Sequence, residues 1–480
     1  MKKYVGIILI SSILLLGTTL RTYRLKELAT FRGDQAIELL STAKILQGKF
    51  TLIGIKTSIS EVRNGAVMYY IYAPFLYLFN YNPIAGGIVE ILLSLSAVFV
   101  TYRIGRRFIN IRVGLLAAFF IAASPLLVKF SRQNLLAFSP LIFSAVSLYV
   151  LLLLAKQYRW YYAAFLGFIL GVALQVHYST LSLFVAAALF PIFFFTTRQK
   201  TTYFLTLLIG FLVGFFPLLL FEFRHEFFNT KMLVAHISRG ESETIEIGRS
   251  VLYLVDAVSQ YFFGGKIILT VVAISLLLFF LHLQKKRLTR NEAVFLLQIV
   301  GTILFVIFFV RQTVPHYIIN AVIPFALLFS TVLDRILYSS KRIFAYFLFA
   351  MMYFLISFSS YGFGDVNGWT MDPGWNLPGV EKASRIIFED VTVTDFNLVM
   401  LVDAENQGYP LRYFLTVWGK QPLPVEQYDT PQHLYVVARS HEDLTKVQLF
   451  EVTSFGAFTI EKTWDIQGNY RLYRLGKAAV

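Results

Sequence analysis

Cysteine is absent from all 480 residues. Disulfides, thiolate metal sites and cysteine nucleophiles are thereby excluded. Charge is scarce too. Asp, Glu, Lys and Arg make up 15% of the chain, against about 25% where a soluble surface must be hydrated. Acid is the scarcer sign, with 28 Asp plus Glu against 43 Lys plus Arg and a formal net charge of +15. On a soluble chain that excess would suggest nucleic acid. Here basic residues at helix ends facing anionic lipid account for it, so membrane lipid is an expected partner and nucleic acid is not. No Gly-rich phosphate loop, internal repeat or Ser/His/Asp elbow is present, and the seven histidines lack paired metal-ligand spacing.

What is abundant is apolar surface. Hydrophobic residues reach 57%, Phe alone occurs 48 times, and the mean hydropathy is +0.64. A water-soluble core cannot hide that much, so most of the chain belongs in lipid, and disorder, collagen and coiled coil are excluded. The run from Met1-Lys2-Lys3 to Leu20 resembles a signal peptide without a small-x-small cleavage site, and reads as an uncleaved first span. Further apolar runs fall near 83–102, 113–130, 134–155, 160–176, 180–197, 202–221, 266–283, 293–310, 318–334 and 343–359. The sequence thus predicts an α-helical polytopic membrane protein with about eleven transmembrane helices.

Residues 66–79 (AVMYYIYAPFLYLF) are apolar but short, tyrosine-rich and interrupted by Pro74, which suits an interfacial helix rather than a span. With that assignment the basic clusters Arg103–Arg112, Lys156–Arg159, Arg198–Lys200, Lys285–Arg290 and Arg335–Arg342 all fall on one side. By the positive-inside rule that side is the cytoplasm. The expected placement is then a multi-pass protein of the plasma (cytoplasmic) membrane with a cytoplasmic N-terminus. Loops 21–65 and 222–250 and everything after 360 lie outside.

Residues 1–360 therefore form the membrane domain, and 361–480 are different material. A Gly/Pro/Trp/Asn-rich linker leads into alternating helix-like (380–390, 409–418, 443–453) and strand-like (396–403, 433–439, 457–464, 469–474) stretches. The pattern predicts a small C-terminal α/β extracytoplasmic domain, large enough to fold alone.

Candidate chemistry gathers at the expected outer level. The first loop is long for a connection between spans and opens Phe31-Arg32-Gly33-Asp34-Gln35 before a predicted helix to Gly48. Asp34 is either an N-cap or a functional carboxylate, with Lys56 and Arg63 of the same loop as basic partners. Glu38, one turn on, reads as a solvated helix residue. Arg132, His177, Arg224, His225, Arg311 and His316 flank other outer turns. Each alone is an ordinary capping or snorkelling residue; at one level together they suit an anionic, phosphate-bearing substrate. Within the spans, Glu90 and Asp256 are either hydrogen-bonded to a neighbouring helix or part of a proton path.

The succession of a first span, a long loop opening with Asp, the helix VMYYIYAPFLYLFN, then RIGRRF, RVGLLAA and Ser124-Pro125 resembles the GT-C superfamily of membrane glycosyltransferases. It is most similar to glycosyltransferase family 39, which includes protein O-mannosyltransferases and aminoarabinose transferases. The likeness covers roughly residues 1–230. It implies an inverting transferase that moves a sugar from a polyprenyl-phosphate donor to a hydroxyl acceptor on a protein, lipid or glycan. Asp34 would be the catalytic base. Gln35 and Asn134 stand where relatives often carry further acids, so the resemblance implies no cofactor and makes a divalent cation the less expected case. The alternative is a lipid-linked sugar flippase or other transporter, which would show internal pseudo-symmetry and broken helices.

Overall fold

A computed structural model describes residues 3–57, 61–238, 247–283, 288–310, 314–336, 342–364, 372–392, 395–402 and 405–478. The chain begins with α1 (Lys3–Thr22), a short α2 (Leu25–Leu28) and α3 (Gly33–Leu46). A ribbon of β1 (Ile53–Lys56) and β2 (Arg63–Gly65) precedes α4 (Val67–Leu78). The helical bundle continues through α5 (Ile84–Phe108), α6 (Ile111–Ala122), α7 (Pro125–Phe130), α8 (Pro140–Lys156), α9 (Trp160–Val176), α10 (Leu181–Phe194) and α11 (Thr197–Arg224). It closes with α12 (Phe228–Ser238), α13 (Ile247–Phe263), α14 (Ile267–Leu283), α15 (Arg290–Phe309), α16 (Ile319–Ile336) and α17 (Arg342–Phe358). The C-terminal part contains α18 (Leu377–Asp390), β3 (Phe396–Met400), α19 (Tyr409–Val417), β4 (His433–Arg439), α20 (Phe450–Thr453), β5 (Phe458–Gln467) and β6 (Tyr470–Lys477).

Every apolar run expected to span falls on a helix, but one run is two helices. The stretch 113–130 breaks at Ser124-Pro125, where proline cannot continue the ladder of α6. The Ser124 hydroxyl instead accepts from the Leu127 N–H at 3.4 Å and starts α7. Among the described residues six helices are long and apolar enough to cross a bilayer by length and composition, and α8, α9 and α10 are shorter apolar helices. The expected loop 222–250 holds a helix, α12, and the apolar run around Asp256 forms a helix of its own, α13, that was not among the expected spans. Helices α13 and α14 meet at 100°. The chain turns there through Gly264 and Gly265, at φ 60° and 86°, a left-handed pair that residues with a Cβ rarely adopt.

Small residues bring helices α9 and α11 into backbone contact. A Cβ on Gly210 would lie 1.8 Å from the Ala164 carbonyl oxygen, and one on Gly167 would lie 2.0 Å from that of Leu207. Gly171 and Gly214 also face backbone carbonyls, of Phe211 and Phe168, too closely for a Cβ, so each helix contributes a GxxxG pair. At the other end of the bundle, Arg112 Nε meets Asp334 Oδ1 at 2.6 Å and Arg335 meets Glu292 at 2.8 Å, tying α6 and α15 to α16.

The C-terminal sheet has the order β3-β4-β6-β5, with β3 and β4 parallel and the other pairs antiparallel. It does not bury its core alone. Trp375, Leu411, Tyr413 and Phe414 share one apolar cluster with Phe31, Ala36, Leu39, Met68 and Tyr72 of the first loop and α4. The Phe31 ring stands edge-on to Tyr413 at 5.3 Å, and the Tyr413 hydroxyl donates to the Tyr81 carbonyl at 2.7 Å. The α/β unit is thus docked on α3 and α4.

Candidate functional site

The docked surface fixes the start of α3. Its N-cap is Arg32, whose backbone N–H donates to Gln35 Oε1 at 2.8 Å. Asp34 is therefore not the cap; it sits in the first turn, with its side chain exposed. There the positive end of the helix dipole favours a negative charge. Gly33 is required beside it because a Cβ would meet Glu405 of the C-terminal unit at 2.7 Å.

One turn on, Glu38 is buried at 3% exposure rather than solvated. Its Oε2 accepts from Asn134 Nδ2 at 3.0 Å, and the same amide donates to the Gln35 carbonyl at 3.1 Å. Asn134 reaches this place because Gly86 leaves room: a Cβ there would lie 2.8 Å from the Asn134 Cβ. Burial pushes the Glu38 carboxyl well above the usual carboxylate range. The charges of Asp34 and Glu90 add to that rise, and the Asn134 bond offsets part of it. Glu90 itself accepts from the Tyr72 and Ser139 hydroxyls, each at 2.7 Å, so its partners are neighbouring elements of the fold.

Tyr69 of α4, 2% exposed, feels the charges of several of these groups. Burial raises its phenol first; the negative charges of Glu38 and Asp34 push it further, and the positive charge of Arg63 pulls it back. Two acids and a guanidinium thus act on one tyrosine through their charges. Arg63 is half-buried. Its backbone N–H donates to Asn229 Oδ1 at 3.0 Å, and Asn229 Nδ2 donates to its carbonyl at 3.2 Å. Lys56, opposite Arg63 in the ribbon, is exposed and paired with Glu61 at 2.8 Å.

The other candidates lie elsewhere. Arg132 is 2% exposed and donates to the backbone carbonyls of Tyr361 at 3.1 Å and Leu20 at 3.0 Å, with its guanidinium over the Phe363 ring. It ties the end of α1 to the segment after α17. His177 and His316 meet ring to ring at 5.0 Å. The His177 Nδ1 accepts from the Ser179 N–H at 3.1 Å, and burial pushes this ring down to about 4. At neutral pH it is an uncharged imidazole with its proton on Nε2. Arg224 and His225 are exposed at the end of α11, with the His225 ring stacked on Phe221 at 4.2 Å. Arg311 lies outside the described residues. Among those residues, no three His, Asp or Glu side chains converge as a ligand set for a metal.

Tyr69, Asn229 and the burial of Glu38 escaped the sequence reading. The i, i+4 spacing of Asp34 and Glu38 and the tyrosine run of α4 were the visible signals. The convergence of α3, α4 and β2 was not visible.

Residues 64–221 match the family model described as dolichyl-phosphate-mannose-protein mannosyltransferase. No curated protein sequence matches the chain. Among solved structures, ArnT from Cupriavidus metallidurans bound to undecaprenyl phosphate is similar at a TM-score of 0.65 and 12% identity, over 100% of this chain and 99% of that one. AglB, the archaeal oligosaccharyltransferase of Archaeoglobus fulgidus, in complex with an inhibitory peptide and a dolichol-phosphate, gives 0.52 and 13%, over 88% of this chain and 60% of that one. The arabinofuranosyltransferase AftD from Mycobacteria gives 0.53 and 13%, over 100% and 42%.

Proposed function

We propose that this chain, which has the GT-C membrane glycosyltransferase fold, is an inverting transferase. It moves a sugar from a polyprenyl-phosphate donor to a hydroxyl acceptor at the outer face of the cytoplasmic membrane. The observation that carries this reading is an exposed carboxylate, Asp34, in the first turn of α3, with the half-buried Arg63 at the far end of the same loop. Asp34 takes the proton as the acceptor oxygen attacks the anomeric carbon. The bond from that carbon to the phosphate oxygen breaks, and the lipid phosphate leaves with the electron pair. Arg63 stabilises the charge that develops on the phosphate. Exposed cations at the same loops, Lys56 and Arg224, meet the donor before it is seated, and His177 and His316 supply uncharged ring groups at the neighbouring turn. The acceptor is a hydroxyl of a protein, lipid or glycan, and no metal is needed, because Gln35 and Asn134 are amides engaged in hydrogen bonds of the fold.

The test is purified protein in detergent with a panel of polyprenyl-phosphate sugars and simple hydroxyl acceptors, reading free polyprenyl phosphate. Acceptor-dependent release, unaffected by EDTA, is the expected result. Vesicles in which the protein moves intact lipid-linked sugar across the bilayer without cleaving it would instead support a transporter.

A further inference from the structure

The Arg63 backbone is held on both edges. Across the ribbon it pairs with Lys56 of β1. On the other edge the Asn229 carboxamide closes a ring of two hydrogen bonds on its N–H and C=O, as a neighbouring strand would. Asn229 is 6% exposed, and it is itself pinned. Helix α11 reverses into α12 through Glu226 and Phe227, both left-handed at φ 52° and 60°, which side chains with a Cβ seldom adopt. Glu222, 5% exposed, holds that turn. One carboxylate oxygen accepts from the Asn229 N–H at 3.1 Å; the other accepts from the Thr230 N–H at 3.0 Å and its hydroxyl at 2.7 Å. A carboxylate accepting three such bonds at a helix start is a rigid cap.

We propose that Asn229 is a positioning residue that sets Arg63 for the departing phosphate, with Glu222 fixing Asn229 in turn. This rests on the reading that Arg63 meets the donor phosphate. A side chain that fixes both backbone groups of a charged residue fixes where its Cα–Cβ bond points, and a guanidinium displaced by even an ångström loses directed hydrogen bonds. Asn229 therefore acts through Arg63 and touches no substrate.

The experiment is a double-mutant cycle on the full-length protein, measuring donor KM and kcat for Asn229→Ala, Arg63→Ala and the pair. Asn229→Ala should raise donor KM about tenfold, within the range for coupled neighbours. Arg63→Ala should raise it at least as far, and the pair should be no worse than Arg63→Ala. Amide exchange supplies a readout independent of activity: protection at residue 63 falls in Asn229→Ala while the helical amides of α11 stay protected. Should Asn229→Ala fold poorly, Asn229→Asp keeps the acceptor for the Arg63 N–H, loses the donor to its carbonyl, and should show a smaller loss of the same kind. Losses that multiply in the pair, or a wild-type donor KM in Asn229→Ala beside an impaired Arg63→Ala, would overturn the role of Asn229 alone. A wild-type donor KM in Arg63→Ala would overturn the reading of Arg63 itself.

Discussion

At the residue scale, burial redistributes the roles that side-chain type alone suggests. Arg132 was a phosphate candidate because it is an arginine at an expected outer turn, yet both of its NH2 groups are on main-chain carbonyls. Arg132→Ala leaves those carbonyls without their donor, at about 1–3 kcal/mol for each one that stays buried and unpaired. A lower melting temperature with an unchanged donor KM is expected, and thermal unfolding beside kinetics checks it. Glu38 likewise goes from an expected solvated position to a buried one. Its carboxyl holds a proton in the folded protein that the unfolded chain releases near pH 4.3, a value typical of free Glu (about 4.3). Stability therefore falls as pH rises from there through the raised folded value. Glu38→Gln cannot ionise and copies the neutral acid. It should gain on wild type as pH is raised across that window and match it at lower pH. Melting curves against pH read this directly, and parallel curves would show that Glu38 is ionised throughout. Neither burial was legible in the sequence, because what covers Glu38 is Asn134, 96 residues away, and what covers Arg132 comes from both ends of the membrane domain.

At the element scale, local pattern was legible where an element's limits are set by its own residues. Helix α9 spans Trp160–Val176 and strand β4 spans His433–Arg439, both at the positions read from apolar runs. Pattern failed where a neighbour decides. Ser124-Pro125 splits an unbroken apolar run, and α12 lies inside an expected loop. The glycines of α9 and α11 gave no apolar signal at all, yet they set the closest helix contact in the bundle. Gly210→Val puts side-chain carbon onto the Ala164 carbonyl, so the two helices must part, at a cost of about 1–3 kcal/mol or more. Helix α9 also carries Gln175, which lies against Gly65 of β2, so transfer should fall with stability. Gly364→Ala, where an added Cβ meets nothing, is the control for melting temperature and activity. Equal stability of the two variants would mean that α9 and α11 are not in backbone contact.

At the scale of the whole molecule, a helical bundle carries an α/β unit that shares its core with the first loop. Read from the sequence, the second part begins at residue 361 and is large enough to fold alone. Its apolar face is instead completed by Phe31, Met68 and Tyr72, which places the C-terminal unit against the start of α3. The basic clusters predict that a reporter active only outside the cytoplasm works after residue 370 and is silent after Arg107; the reverse pair would put Asp34 and Arg63 on the cytoplasmic side. The most direct measurement compares wild type and Asp34→Asn in single-turnover transfer from a polyprenyl-phosphate sugar. Asn keeps the size of the side chain, and the α3 cap is Arg32 with Gln35, so the cap survives and what is lost is the charge at the helix start, about 0.3–1 kcal/mol. Loss of the base should slow release of polyprenyl phosphate by about 10²–10⁴-fold while the melting temperature moves by only a few degrees. An Asp34→Asn protein that transfers sugar at a rate close to wild type would contradict the assignment of the catalytic carboxylate.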